Sequence, residues 1–153
     1  MSLKNTKTNR DRNADMKIRP YAPEDEGTVI ELWRKCDLVR PQNNPKLDIR
    51  RKVTVDPDLF LVGLLGGKIV ATVMGGYEGH RGWINYLGVD PSHRRRGLGQ
   101  QIMLAVESKI RARGCPKINL QVRTDNLEVV EFYQSIGYQT DAVVSMGKRL
   151  VAD

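Results

Sequence analysis

Short apolar runs separated by Gly, Pro and Asn clusters make up most of this chain. Runs of four to eight apolar residues between such clusters predict strands, whereas apolar residues three or four apart predict helices. Met16 to Arg19 predicts a first strand, closed by Pro20. Pro23-Glu24-Asp25-Glu26 places acids where the positive end of a helix dipole favours them. Val29, Ile30, Leu32 and Trp33 give that helix its apolar face. Leu38 to Pro45 is turn-rich, and a second short helix follows with Leu47, Ile49 and Val53 expected inward. Asp58 to Leu65 and Lys68 to Tyr77 predict strands joined by a hairpin at Gly66-Gly67. Gly75-Gly76 predicts a bulge or a close approach of backbone. Glu78 to Gly82 then turns the chain into a strand over Trp83 to Val89.

The rest of the chain is organised around Tyr86 to Gln100. Asp90-Pro91 stops the strand, because proline cannot donate to a ladder. Leu98, Ile102, Val106 and Ile110 recur every four positions and predict a helix from Gly97 to Arg113, ended by Gly114. The loop between strand and helix carries Arg94, Arg95 and Arg96 and opens on Gly97 and Gly99. Unpaired amides and the positive dipole end of a helix attract anions, and guanidinium groups suit phosphate oxygens. Glycines let a bulky anion approach the main chain. Taken locally, the stretch reads as either a pyrophosphate cradle or a plain basic helix cap. Dinucleotide and P-loop fingerprints are excluded, since neither the third glycine nor a Gly-Lys-Ser/Thr follows. Beyond it, Ile118 to Val122 predicts a strand, and Asp125 or Asn126 caps a helix ended by Gly137. That helix turns Val129, Val130, Phe132, Tyr133 and Ile136 inward. Tyr138 to Thr140 and Val143 to Lys148 predict two last strands.

Composition narrows the partners. The chain has 153 residues, 40% of them apolar, and a formal charge of +7. That size fits one domain with a real core. No run is long enough to span a membrane, and Met1 to Asp15 has no apolar centre of a secretory signal. Residues 1 to 15 lack periodicity and are expected to be a disordered extension or leader, leaving 16–153 as a single domain. Cys36 and Cys115 are the only cysteines, with no histidine at metal-ligand spacing, so reduced thiols in a cytoplasmic protein are expected and no metal site. The basic excess admits nucleic acid, but no aromatic interleaving or recognition motif accompanies it, so that reading is disfavoured. An anionic cofactor accounts for it better.

Val89-x-Pro91-x-x-Arg94-x-x-Gly97-x-Gly99 resembles the acetyl-CoA-binding motif of the GNAT superfamily of N-acetyltransferases. Asn126-x-x-Val129-x-x-Phe132-Tyr133-x-x-x-Gly137-Tyr138 is similar to the later helix of that family, in which an Asn precedes a Tyr by seven residues. The two matches have the family's separation, and the resemblance covers about Met16 to Leu150. It implies an α/β GNAT fold: a mixed central sheet of about seven strands, about four flanking helices, and a splayed fourth and fifth strand.

The same resemblance implies roles for individual residues. Acetyl-CoA would be held by the main chain at Leu87, Gly88 and Val89 and by Arg94, Arg95, Arg96, Gly97, Leu98, Gly99 and Gln100. A backbone N–H near Leu87 would donate to the thioester oxygen. Asn126 would contact the cofactor, cap its helix, or both. Tyr133 fits the general acid that protonates the departing sulfur. Glu78 is the candidate base, acting through water, with His80 as an alternative; His93 is a phosphate neighbour or a solvent-exposed residue. Arg40 and Asn43 lie where the family's first helix–loop–helix borders the acceptor. The implied activity is direct transfer of acetyl from acetyl-CoA to a primary amine in a ternary complex. A small amine, a protein N-terminus or a lysine all remain open as acceptors, and so does a homodimer. The alternative is a non-catalytic acyl-CoA-binding sensor.

Overall fold

A computed structural model describes residues 15–153, so the expected N-terminal extension lies outside the described residues except for Asp15. Five strands form one mixed sheet in chain order: β1 (Lys17–Pro20), β2 (Phe60–Leu65), β3 (Lys68–Tyr77), β4 (Gly82–Val89) and β5 (Ile118–Leu120). The first four pair antiparallel, and β5 joins β4 in parallel. Gly66 and Gly67 turn the β2–β3 hairpin with φ of 55° and 77°, a conformation that only glycine adopts freely.

Helices cover both faces, which is why β2 and β3 are apolar without alternation. On one face lie α1 (Glu26–Lys35) and α2 (Pro45–Lys52), and on the other α3 (Leu98–Ala112) with α4 (Leu127–Ser135) beside it. Trp33, Val29 and Leu32 of α1 bury against Phe60, Val62, Ile69 and Met74. Across the sheet, Ile102, Met103, Val106 and Ile110 of α3 meet Leu61, Val70, Val73 and Ile84. Each such buried side chain contributes roughly 1.5–3 kcal/mol relative to exposure. Gly75 is a close approach rather than a bulge: a Cβ there would stand 2.6 Å from Val106 Cγ2, so α3 rests on the β3 backbone.

Two expectations need correction. The sheet has five strands, not seven, because Tyr138–Thr140 and Val143–Lys148 form no ladder. A strand exists only with a partner, and this segment meets β5 and its neighbours through side chains, Lys117 to Asp141 and Gln121 to Ser145. Val143, Val144 and Met146 consequently remain 79–90% exposed. Val53, expected inward, lies just past the end of α2 and is 39% exposed.

Candidate active site

β4 changes character halfway along. Gly82, Trp83 and Ile84 pair with Ile118, Asn119 and Leu120 of β5, and there the pairing ends, so the edge from Asn85 to Val89 has lost its β5 neighbour. On the other side, Thr72 pairs with Gly88 and Met74 with Asn85, so Tyr86 and Leu87 both oppose Val73. This is a one-residue bulge. Tyr86 takes it up with φ of 51°, a left-handed conformation in which a bulky residue is strained. The bulge shifts the pleat, so Leu87 and Val89 pack on the α3 side while Tyr86 faces α1. Gly88 admits no side chain without crowding, since a Cβ would lie 3.2 Å from both Cys36 Sγ and Leu38 Cδ1. The splayed fourth and fifth strands expected from the sequence are therefore present. Asn119, at the fork, has a buried Oδ1 with no hydrogen-bond partner among the described residues.

Beyond β4, Asp90 accepts from the amide and hydroxyl of Ser92 at 2.9 and 2.7 Å, which starts a short 3-10 turn over Pro91–His93. These bonds hold the Asp90 carboxyl below the usual carboxylate range. Arg94, Arg95 and Arg96 follow, all exposed. Left-handed φ values of 63° at Arg95 and 75° at Gly97 fold the main chain into the alternating-hand form that gathers amides for an anion. Gly97 caps α3 without a side-chain hydrogen bond. Gln101 N–H is the first to find a helical carbonyl, that of Gly97 at 3.1 Å, so the amides of Leu98, Gly99 and Gln100 precede the helical ladder. The two glycines differ in purpose. Nothing lies within 4 Å of a Cβ at Gly97, where the backbone angle demands glycine; at Gly99 a Cβ would stand 3.1 Å from the Phe132 ring. Gly99 lets the first turn of α3 pack closely on Phe132.

Phe132 and its neighbour Tyr133 belong to α4, capped by Asn126, whose side chain accepts from Val129 N–H at 3.4 Å. Tyr133 is 8% exposed and lies edge-on to Phe132 and Tyr138, with centroids 5.2 and 5.5 Å away. Burial pushes its hydroxyl up to about 12. Tyr138, by contrast, donates to Glu107 at 2.7 Å and is raised by burial and by that carboxylate. Among the described residues no carboxylate holds the proton of the Tyr133 phenol.

On the α1–α2 side, Asn43 Nδ2 donates to the Tyr86 hydroxyl at 2.5 Å, and that hydroxyl donates to Asp48 Oδ2 at 2.5 Å. Asn43 Oδ1 accepts from Arg40 N–H at 2.7 Å, while the Arg40 guanidinium turns to Asp37 at 3.2 Å. Of the two predicted acceptor contacts, only Asn43 reaches the bulge with its side chain. Asp48 and Tyr86 were missed; Asp48 is the lone acid in the basic run Lys46 to Lys52, which was the available signal. Glu78 lies five residues along β3 from Val73, roughly 16 Å at strand spacing, and its Oε1 accepts from the turn amides of His80 and Arg81. Neither Glu78 nor His80 is brought to the bulge. His93 Nδ1 sits 2.9 Å from Ser92 Oγ. Cys36 donates to the Val89 carbonyl at 3.3 Å, and burial raises its thiol, with Arg94 opposing. Among the described residues no helix is long and apolar enough to cross a membrane.

Comparison with known proteins bears on this geometry. The sequence model described as the Acetyltransferase (GNAT) family matches residues 25–138. Acetyltransferase ECA0875 of Pectobacterium atrosepticum is 50% identical over 138 residues, covering 90% of this chain and 98% of its own. The structure of Ard1 from Thermoplasma volcanium superposes with a TM-score of 0.73 at 28% identity, over 83% of this chain and 84% of that one. PaiA N-acetyltransferase from Thermoplasma acidophilum, solved in complex with coenzyme A, shares the fold with a TM-score of 0.73 at 17% identity, over 85% and 93%. The family model and the curated relative agree on an acetyltransferase, and the solved structures share its fold. The chain belongs to the GNAT family.

Proposed function

We propose that this chain transfers an acetyl group from acetyl-CoA to a primary amine, by direct attack in a ternary complex. One observation carries the reading: the β4 edge is open beyond Ile84, bulged at Tyr86–Leu87, and leads through the Asp90–Arg96 loop to an α3 N-terminus with no side-chain cap. Such an edge offers amide donors and carbonyl acceptors to an extended arm with amides of its own, as pantetheine has. The orphaned Asn119 Oδ1 at the fork is a further acceptor for it. The amides of Leu98, Gly99 and Gln100, with Arg94 to Arg96, suit the pyrophosphate. When bound, acetyl-CoA supplies the activated acyl carbon and a thiolate leaving group.

The chain's own residues supply orientation and protons. Leu87 N–H donates to the thioester oxygen as charge gathers there. The acceptor nitrogen forms the new C–N bond as the C–S bond breaks, and Tyr133 gives its proton to the sulfur. A phenol held at about 12 remains protonated at neutral pH and is a competent donor. The proton shed by the acceptor leaves through water, and Glu78, at the far end of β3, can receive it only as the end of a water chain. Asn43, with Asp48 and Tyr86, lines the acceptor side, which a small amine, a protein N-terminus or a lysine would enter.

Calorimetric titration with acetyl-CoA, using NADH and ATP as controls, tests the reading, followed by thiol release in the presence of amines and peptides. Selective binding with acceptor-dependent thiol release is expected. Absence of binding removes the proposal; binding with no turnover on any amine class would make the protein an acyl-CoA-binding module instead.

A further inference from the structure

Resting on this acetyl-transfer reading, we propose that Thr72, backed by Trp33, is a positioning residue that aims the Leu87 N–H at the open edge of β4. Thr72 is fully buried in the centre of β3 and faces Trp33, also fully buried. Trp33 Nε1–H donates to Thr72 Oγ1 at 3.0 Å, and Thr72 Oγ1 donates to the Tyr86 carbonyl at 3.1 Å. No other assignment satisfies the three groups. An indole N–H can only donate and a carbonyl can only accept, so the threonine must accept from one and spend its single proton on the other. With Trp33 and Thr72 sealed from solvent, water cannot take the place of either bond at the threonine.

The direction of that last bond decides what Leu87 does. The Tyr86 carbonyl and the Leu87 N–H belong to one peptide group, which is planar and trans. In such a group the C=O and N–H bonds point opposite ways. Pinning the carbonyl to Thr72 on β3 therefore turns the Leu87 N–H away from β3, toward the side from which β5 has departed after Leu120. A regular strand would not hold this peptide so firmly, because Tyr86 sits in a left-handed conformation that it would leave if released. Its side chain is anchored as well, stacked on Trp33 at 3.9 Å and bonded to Asp48 and Asn43. Those contacts fix the ring, and Thr72 fixes the peptide plane. The bulge is thus set from beneath by a residue no substrate touches.

Three variants test this: Thr72→Val, which keeps the shape and removes the hydroxyl; Thr72→Ser, which keeps the hydroxyl; and Trp33→Phe, which removes the indole donor. The readouts are kcat, KM for acetyl-CoA, and the calorimetric ratio of acetyl-CoA to CoA affinity, which reports on the thioester oxygen without turnover. Thr72→Val is expected to lower kcat by on the order of 10- to 100-fold, with KM within about twofold and a smaller affinity ratio. Thr72→Ser should recover activity to within about threefold of the parent. Trp33→Phe, which leaves the hydroxyl free to turn, should lower kcat several-fold, and it carries the test alone if Thr72→Val does not fold. A folded Thr72→Val or Trp33→Phe protein with unchanged kcat and affinity ratio overturns the proposal, as does a loss in Thr72→Ser equal to that in Thr72→Val. Failure of the parent protein to bind acetyl-CoA would instead overturn the acetyl-transfer reading.

Discussion

The two ends of β4 are built on opposite principles. At Gly82–Ile84 the strand is gripped by β3 on one side and β5 on the other, and a Cβ at Gly82 would stand 2.9 Å from Ile118 Cγ1 and 3.1 Å from Cys115 Sγ. At Tyr86–Val89 one neighbour is gone, a residue is inserted, and a tyrosine occupies a backbone region suited to glycine. The closed end is regular and dense. The open end is strained and holds its shape through a buried threonine, a stacked ring and two side-chain hydrogen bonds. Strain of this kind persists where the surroundings over-determine it, so the closed end provides the rigidity that lets the open end stay unpaired.

The strongest test of that division falls on the open end. Tyr133→Phe is expected to lower kcat by on the order of 10²-fold or more while acetyl-CoA affinity and melting temperature stay near those of the parent. Equal losses in binding and rate would assign Tyr133 to packing instead. The pH profile sharpens this. Burial raises the Tyr133 phenol to about 12, so the proton-donating form persists below that value and is lost as pH rises through it. Turnover should therefore show no alkaline fall attributable to this group up to about pH 10; a fall centred near neutrality that disappears in Tyr133→Phe would overturn the raised pKa while leaving Tyr133 as the proton donor.

At the closed end, Gly82→Val should cost about 1–3 kcal/mol of stability by overpacking, seen as a lower denaturation midpoint. Per folded molecule, kcat should be unchanged; a large kcat effect would mean the ends are not separable. Gly97→Ala tests the loop with a smaller perturbation. No atom blocks the methyl group, but the left-handed φ costs about 1–2 kcal/mol, so acetyl-CoA affinity should weaken several-fold without loss of fold. Unchanged affinity would sink the anion cradle. Smallest of all, Glu78→Gln should alter kcat by no more than about threefold, since its carboxylate serves the turn at the closed end. A fall of two orders of magnitude would instead require a direct role.

Much of this architecture is legible in the residues. The Gly66-Gly67 hairpin, the four-residue spacing from Leu98 to Ile110 and the Asn126 cap all appear where local chemistry demands them. Local chemistry alone did not place the bulge; the family resemblance put the opened stretch of the fourth strand at Leu87 to Val89, where it lies. A left-handed bulge position normally advertises itself as glycine, and here it is Tyr86, while the glycine pair at Gly75-Gly76 that suggested irregularity answers to the pressure of α3 on β3. The final strands were over-read because Val143 to Met146 has strand propensity, and propensity is silent about whether a partner edge is in reach. Thr72 and Trp33 were unreadable for a related reason. They are 39 residues apart, and only the sheet brings a hydroxyl, an indole and a bulged carbonyl into one line.

The Gly99–Phe132 contact has a wider consequence. It seats the first turn of α3 against α4 one residue before Tyr133, so on the proposed reading the phosphate loop and the proton donor share a single fulcrum. α1 and α2, proposed to face the acceptor, lie across the sheet from that fulcrum. On the proposed reading, residues 38–52 could be rewritten for a new amine only if Asn43 and Asp48, which hold the Tyr86 ring at the bulge, were kept.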